Sequence, residues 1–294
     1  GRIDHHALQV ILVLTQVRAL LAVPTAISGM VAGGAVAVGA AVGLETLPFA
    51  CVTGALISLG WWRRETGAAA RQRWFGIAVA IALPMLLPIA GRGGGCDTIQ
   101  PLALPAIAGA IGLAALASFR PRGLILLATG LAVAASAVLT APACLAGPYG
   151  GVDPLVARLW LARVEEAQPL FAAPAVHAIA YGGLLIAGIA ASAWLARRRI
   201  DAGWRTVLAF QLASLLLTLS QLRGAYVGAG LAVVPIAMLI ANARVRGRLA
   251  TAIALWLAGA GLTYPLVAAA FVPRGERADT AAGCASPGLL RRLG

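Results

Sequence analysis

Long apolar runs recur along this chain, and they constrain its fold more than any other feature. A helix needs about 20 apolar residues to cross the hydrocarbon core of a bilayer. Lipid offers no water to an open backbone, so a run of this length has to form a helix. Each run is therefore predicted to be a transmembrane helix. The ten predicted spans are 6–22, 25–44, 46–61, 74–90, 101–118, 123–141, 174–195, 205–221, 224–242 and 249–271.

The composition supports the same class of protein. Of the 294 residues, 61% are hydrophobic and only 11% are charged, which is too little polar surface to cover a soluble protein of this size. We expect an all-α, polytopic transmembrane helix bundle over residues 1–271, with an external loop at 142–173. Residues 272–294 are expected to begin an external C-terminal segment. The chain begins without Met and stops within a polar segment, so we expect a fragment that lacks both ends.

The basic residues are all arginines, and their positions predict the orientation of the bundle. A formal charge of +13 is compatible with nucleic-acid binding, but the arginines fall in short clusters between apolar runs and do not cover one face. Arginines near span ends are retained on the cytoplasmic side. The loops around 63–73, 120–122, 197–205 and 244–248 all fall on one side. We therefore expect no nucleic-acid partner, and we expect the N-terminus and the long loop to be external.

Four cysteines are too few to form a disulfide scaffold in so apolar a chain. Cys51 is predicted to lie inside a helix. Cys96, Cys144 and Cys284 fall in predicted external loops, where oxidation can occur. A bridge between Cys96 and Cys144 is one pairing, but spacing alone does not fix it.

The first candidate site is Asp4-His5-His6, where the first span enters the membrane from outside. Asp and His are ligands for hard and borderline cations, so Asp4 and His6 together can hold Mg²⁺ or Mn²⁺. The alternative is a polar helix start, in which Asp4 is the N-cap and the histidines lie among lipid headgroups.

The second candidate is the long external loop, which exceeds the usual length of a connection. An amphipathic stretch in this loop predicts a helix on the membrane surface, with Trp160 as its interfacial anchor. Glu165 and Glu166 follow the stretch and can approach Asp4. The alternative is that the two carboxylates only solvate the loop.

Together these segments resemble the catalytic subunit of oligosaccharyltransferases, a family of the membrane glycosyltransferase C superfamily. In that family an Asp-x-Asp-type motif, in some members Asp-His-His, precedes the fourth of thirteen transmembrane helices and supplies metal ligands. Counting the first span here as the fourth makes the tenth span the thirteenth. The family also carries a Ser-Val-Ser-Glu-type motif in the loop between helices nine and ten. Arg163-Val164-Glu165-Glu166 occupies that loop here, so Glu166 is the counterpart of the motif's glutamate.

The chain also departs from the family's pattern. Arg-Val-Glu replaces the Ser-Val-Ser part of the loop motif. The family's first acidic motif and its Trp-Trp-Asp-Tyr-Gly acceptor motif are not in this sequence. The resemblance therefore leaves the metal site incomplete and the acceptor open.

Three further ionisable residues are candidates. Arg223 lies in Gln221-Leu222-Arg223-Gly224, at the outer end of span eight, where family members carry an arginine that meets the donor phosphates. A guanidinium suits a diphosphate because it binds oxygens in pairs, although it can also simply snorkel to the interface. Glu45 and His177 lie at membrane depth, where such groups are functional by default; the alternative is a satisfied structural role.

The resemblance implies an enzyme that transfers a sugar or oligosaccharide from a polyprenyl phosphate or diphosphate donor. The acceptor is a protein or glycan at the periplasmic face of a bacterial inner membrane. Glu166 or Glu165 orients the acceptor, and a divalent metal, Mg²⁺ or Mn²⁺, is the implied cofactor. The implied metal ligands are Asp4, His6 and Glu166, and the implied substrate-binding residues are Arg223, His5, Glu45 and His177. The alternatives are a membrane transporter or lipid flippase and a non-catalytic assembly subunit.

Overall fold

The structure is a computed structural model, and it is helical throughout the part of the chain that it describes. The described residues are 5–90, 95–96, 98–146, 149, 152–159, 161–198 and 202–271. Within them there is no β-strand. The predicted all-α class is confirmed.

Six helices form in the first half of the chain, close to the first six predicted spans. Thr25 starts the second helix with a capping box, in which its side chain and that of Ser28 exchange hydrogen bonds with backbone amides. The fifth helix is extended by 3-10 turns at both ends. The helices are α1 (His5–Leu21), α2 (Ala26–Val42), α3 (Leu47–Trp62), α4 (Ala68–Leu86), α5 (Ala103–Ala115) and α6 (Arg122–Thr140).

The second half adds six more helices among the described residues, and here two predicted helices differ in extent from the structure. The tenth predicted span is two helices, bent by 84° at a short break, because Gly259 and Gly261 weaken the helix there and Pro265 cannot donate a backbone hydrogen bond. The predicted surface helix keeps only six residues. Trp160, its predicted anchor, lies outside the described residues. The helices are α7 (Pro154–Leu159), α8 (Ala175–Arg198), α9 (Ala202–Ser220), α10 (Ala225–Val245), α11 (Leu249–Gly259) and α12 (Thr263–Phe271).

Several of these helices can cross a membrane by length and composition. Five qualify among the described residues, or six if α11 and α12 count as one bent span. Helices α1 and α2 have 17 residues each, about 26 Å at 1.5 Å per residue, which is shorter than a hydrocarbon core of about 30 Å. The chain is a multi-pass helical membrane protein, and ten crossings stays a prediction. The five qualifying segments are Leu44–Trp62, Gln100–Ser118, Arg122–Thr140, Ala175–Arg198 and Leu222–Val245.

Glycine permits the closest helix contact in the first half, between α2 and α4. A Cβ atom at Gly29 would overlap the carbonyl oxygen of Arg71, and one at Gly33 would lie 2.5 Å from that of Phe75. Gly29 and Gly33 lie about one turn apart and let the backbones of α2 and α4 approach closely.

An apolar cluster joins α1, α3, α9 and α10. Phe49 and Phe210 stack with their ring centroids 6.2 Å apart. Val13, Val227 and Leu231 pack around them. This cluster fixes the relative positions of four helices whose ends carry the candidate residues.

The arginine-bearing loops meet at one end of the bundle. Arg71 donates to the carbonyl oxygen of Ala22, which ties the start of α4 to the end of α1. Arg122 donates to the carbonyl oxygen of Trp61 at 2.9 Å, and the Trp61 indole donates to that of Ala117 at 2.7 Å. We call this the arginine-rich end. The opposite end, which carries Glu45, Glu165 and Glu166, is the carboxylate end.

Candidate functional site

Four separate segments meet at the carboxylate end, and each brings a side chain selected from the sequence. Three of them are single 3-10 turns, which reverse the chain at helix ends and turn polar side chains toward one another. The contributing segments are the start of α1 with His6, Leu44–Thr46 with Glu45, Glu165–Ala167 with Glu166, and Leu222–Gly224 with Arg223.

Arg223 and Glu45 form the shortest ion pair of the site. Nη1 of Arg223 lies 2.6 Å from Oε1 of Glu45, and the two side chains are only 12% and 21% exposed. Nε of Arg223 donates to Oε1 of Gln221 at 2.8 Å, and its guanidinium lies over the Tyr149 ring, 5.7 Å from the centroid. The guanidinium is therefore held from two sides as well as by its charge partner.

The imidazole of His6 lies between two carboxylates. Its Nδ1 is 3.2 Å from Oε1 of Gln9 and 3.7 Å from Oε2 of Glu45. Its Nε2 is 3.7 Å from Oε1 of Glu166. A proton on Nε2 makes His6 a donor toward Glu166, whereas a proton on Nδ1 leaves a lone pair that a cation can share with that carboxylate.

Glu166 is positioned by a tyrosine that the sequence reasoning missed. The hydroxyl of Tyr226 donates to Oε2 of Glu166 at 3.0 Å. The Tyr226 ring lies 5.8 Å from that of His6 and 5.8 Å from that of Tyr181. The placement of Tyr226 in the first turn of a span, where tyrosine prefers the interface, is the signal that would have indicated it.

A backbone hydrogen bond joins the acidic loop to the arginine loop. The amide of Leu222 donates to the carbonyl oxygen of Gln168 at 2.9 Å. The hydroxyl of Ser214 on α9 donates to the carbonyl oxygen of Gly224 at 2.5 Å. The loops that carry Glu166 and Arg223, which are far apart in the sequence, are thereby held side by side at the ends of α9 and α10.

Glu165 and His177 form a separate pair beside the site. Nδ1 of His177, in the first turn of α8, lies 3.5 Å from Oε2 of Glu165. The Glu165 side chain is 55% exposed, against 31% for Glu166. Of the two neighbouring glutamates, Glu166 is therefore the one that faces His6.

The predicted metal ligands are only partly described. Asp4 and the side chain of His5 lie outside the described residues. Within the described part of the chain, no group of three or more His, Cys, Asp or Glu side chains is arranged to hold a metal ion. His6 and Glu166 offer a nitrogen and an oxygen 3.7 Å apart. Neighbouring ligands of an octahedral Mg²⁺ lie about 3 Å apart, so these two side chains have to move closer together to share one cation.

Little empty space remains between these side chains. A cavity of about 20 Å³, bounded in part by His6, Glu45, Arg223 and Tyr226, holds about one water molecule. The site is closed around the Arg223–Glu45 pair, so any ligand larger than water has to displace that pair or open the loops above it.

A disulfide bridge lies in the loops at this end of the bundle. Cys96 and Cys144 are bonded, with their Cα atoms 5.1 Å apart. The pairing that spacing left open is therefore present. It links the segment after α4 to the segment after α6, and bridges of this kind persist in oxidising compartments.

The structure thus brings His6, Glu45, Glu166 and Arg223 into one site and leaves Glu165 with His177 at its side. Comparisons with protein-family models, with curated proteins and with solved structures found no match to this chain. The function is therefore inferred from the geometry of the site together with the sequence motifs.

Proposed function

We propose that this chain is the membrane part of a metal-dependent glycosyltransferase. It transfers a sugar or oligosaccharide from a polyprenyl phosphate or diphosphate to an acceptor protein or glycan. The reaction takes place at the carboxylate end, on the periplasmic face of a bacterial inner membrane. The observation that carries the proposal is the meeting of His6, Glu166 and Arg223 from three distant parts of an apolar bundle.

The position of the site suits a lipid-linked donor. A polyprenyl tail stays in the hydrocarbon beside the helices, and its phosphate reaches the helix ends where Arg223 lies. The planar guanidinium forms paired, charge-assisted hydrogen bonds with phosphate oxygens. Gln221 holds Nε of Arg223 and Glu45 contacts Nη1, so the phosphate binds the guanidinium by displacing Glu45 while Gln221 keeps Arg223 in place.

In the transfer, a nucleophilic atom of the acceptor forms a bond to the anomeric carbon of the sugar. The bond between that carbon and the phosphate oxygen breaks, and its electron pair leaves with the phosphate. Glu166 accepts the proton of the nucleophile. Glu165, the neighbouring carboxylate, is the alternative proton acceptor. Arg223 stabilises the charge that develops on the leaving phosphate.

His6 and Glu166 would hold the divalent cation, Mg²⁺ or Mn²⁺, and Asp4 is the third ligand expected from the sequence. When bound, the cation supplies Lewis-acid stabilisation of the leaving phosphate. Tyr226 keeps one oxygen of Glu166 engaged at 3.0 Å, which leaves the other directed toward His6.

One observation favours a transporter or lipid flippase: the break between α11 and α12. Transporters often bind substrate at broken helices near the midplane. The break here contains Ala260, Gly261 and Leu262, which offer no polar side chain. The polar side chains that could recognise a phosphate lie at the end of the bundle, which favours transfer chemistry over transport.

Donor binding tests the proposal on the chain as it exists. Purified protein is titrated with a synthetic polyprenyl diphosphate that carries one labelled sugar, with Mg²⁺ or with EDTA. We expect binding that Arg223→Gln weakens at least about tenfold and that Arg63→Gln, at the arginine-rich end, leaves unchanged. Equal binding by both variants would overturn the assignment of the donor site.

Transfer itself is then followed with the purified protein in lipid vesicles, by release of the label to water or to an acceptor. We expect EDTA and Glu166→Gln each to suppress it. Movement of labelled lipid across a vesicle membrane without release of the sugar would replace the glycosyltransferase by a flippase.

A further inference from the structure

A second cleft lies at the arginine-rich end, far from the site described above. It has a volume of about 670 Å³ and is formed by α8, α10 and α11. Helices α8 and α10, with 24 and 21 residues, run from the carboxylate end to this cleft, over about 30 to 36 Å at 1.5 Å per residue. The lining residues are Trp194, Leu195, Arg198, Leu239, Asn242, Ala243, Arg246, Arg248, Thr251 and Leu255.

Its polarity changes with depth in the same sense on all three walls. On α8, Trp194 lies one turn deeper than Arg198. On α10, Leu239 lies about two turns deeper than Arg246. On α11, Leu255 lies about two turns deeper than Arg248. The cleft therefore has a cationic mouth at the helix ends and an apolar interior along the helix sides.

The charge at the mouth is not neutralised within the part of the chain that the structure describes. No carboxylate pairs there with Arg198, Arg246 or Arg248. The guanidinium of Arg198 lies over the Trp194 ring, 4.7 Å from its centroid, which positions it without consuming its charge. Asn242 and Thr251 add uncharged polar groups to the lining.

We propose that this cleft binds an anionic phospholipid, with its phosphate at the three arginines and an acyl chain along Trp194, Leu239 and Leu255. Three guanidinium groups attract the negative charge of a phosphodiester, and each can bind its oxygens through paired, charge-assisted hydrogen bonds. Basic pockets between transmembrane helices on the cytoplasmic side are typical sites for such headgroups. The apolar depth of the cleft distinguishes this ligand from a soluble phosphate, which would leave the apolar wall empty.

The test compares lipids on the purified chain in detergent, by native mass spectrometry. Cardiolipin, phosphatidylglycerol, phosphatidylcholine and inorganic phosphate are added separately. We expect cardiolipin and phosphatidylglycerol to remain bound, phosphatidylcholine to bind at least about tenfold more weakly, and inorganic phosphate to give no retained adduct. Equal retention of phosphatidylcholine would overturn the proposal, and so would inorganic phosphate that competes with the lipid at equal concentration.

Two sets of variants separate the cleft from the general charge of this face. Arg198→Gln, Arg246→Gln and Arg248→Gln are combined in one protein, which should lose the anionic lipid at least tenfold. The control combines three exposed arginines of the same end that do not line the cleft, and it should retain the lipid. The control substitutions are Arg63→Gln, Arg197→Gln and Arg244→Gln.

A third variant tests the apolar part and guards against misfolding of the triple variant. Leu239→Trp fills the cleft and leaves all three arginines in place, so it should displace the acyl chain and weaken lipid retention while the elution volume stays unchanged. Full retention by Leu239→Trp, or equal loss in the control set, would overturn the proposal. Neither outcome bears on sugar transfer, which is assigned to the opposite end.

Discussion

Arg223 and Glu45 come from distant parts of the chain and face each other at 2.6 Å in a half-closed polar site of an otherwise apolar bundle. A charged guanidinium without a partner is costly in an apolar bundle, and the pairing with Glu45 reduces that cost. For the proposed donor, the pairing also means that the phosphate has to compete with Glu45 for Arg223. The ion pair therefore stabilises the site and also occupies the guanidinium that the phosphate would bind.

Removing the charge of Glu45 should make Arg223 available to the phosphate. We expect Glu45→Gln to bind polyprenyl diphosphate about three- to tenfold more tightly than the wild type, because Arg223 no longer exchanges one anion for another. Titration of the purified variant with the labelled lipid measures the effect. Weaker binding by Glu45→Gln would mean that this carboxylate contributes to donor recognition itself.

The two adjacent glutamates provide a matched comparison. Glu166→Gln should reduce sugar transfer by about a hundredfold or more, because Glu166 faces His6 and carries the proposed proton transfer and metal contact. Glu165→Gln should cost less than about tenfold, since that side chain is paired with His177 and half exposed. Initial rates of label transfer decide this. The reverse order would move the chemistry to Glu165 and His177.

Tyr226 is expected to act as a positioning residue. Tyr226→Phe removes the hydroxyl that donates to Glu166 and keeps the ring against His6 and Tyr181. We expect kcat to fall by about tenfold with KM for the donor nearly unchanged, since the ring packing persists. A rise in KM with constant kcat would indicate that the hydroxyl contacts the donor.

Two glycines of α2 test the helix packing. Gly29→Ala places a methyl group on the Arg71 carbonyl, and we expect it to lower the free energy of unfolding by about 1 to 3 kcal/mol. Gly34→Ala has open space around its Cβ, and alanine is the better helix former, so stability should hold or rise slightly. Thermal unfolding in detergent compares the two. Equal destabilisation would argue against the close α2–α4 contact.

Orientation is tested by labelling from outside the cell with an impermeant maleimide. Ala143→Cys, next to the bridged Cys144, should be labelled, whereas Ala196→Cys, at the arginine-rich end of α8, should be protected. Both variants are made with Cys51 and Cys284 replaced by Ser, so that the introduced cysteine is the only one besides Cys96 and Cys144. Labelling of position 196 alone would invert the bundle and place the carboxylate end in the cytoplasm.

Hydropathy was sufficient to predict most of the helices. A backbone in lipid has to satisfy its own hydrogen bonds, and an apolar run long enough to span the bilayer does so by forming a helix. Nine of the ten predicted runs coincide with single α-helices to within several residues, α5 with its 3-10 extensions. The tenth is broken into two helices near Gly259 and Gly261, where glycine weakens the helix. The predicted surface helix is present as α7, which has six residues, because so short a segment has few hydrogen bonds to extend it without packing.

The sequence also indicated His6, Glu45, Glu166 and Arg223. His6 was selected by its ligand chemistry, Glu166 and Arg223 by the family resemblance, and Glu45 by its place at membrane depth. The sequence did not show which of these residues contact one another, because the order of helices along the chain does not fix which helices pack side by side. That was decided by the Phe49–Phe210 cluster and the Leu222–Gln168 hydrogen bond. The same packing supplied Tyr226 to Glu166 and gathered Arg198, Arg246 and Arg248 around one cleft, contacts whose formation depends on distances between helices rather than on any local pattern of residues.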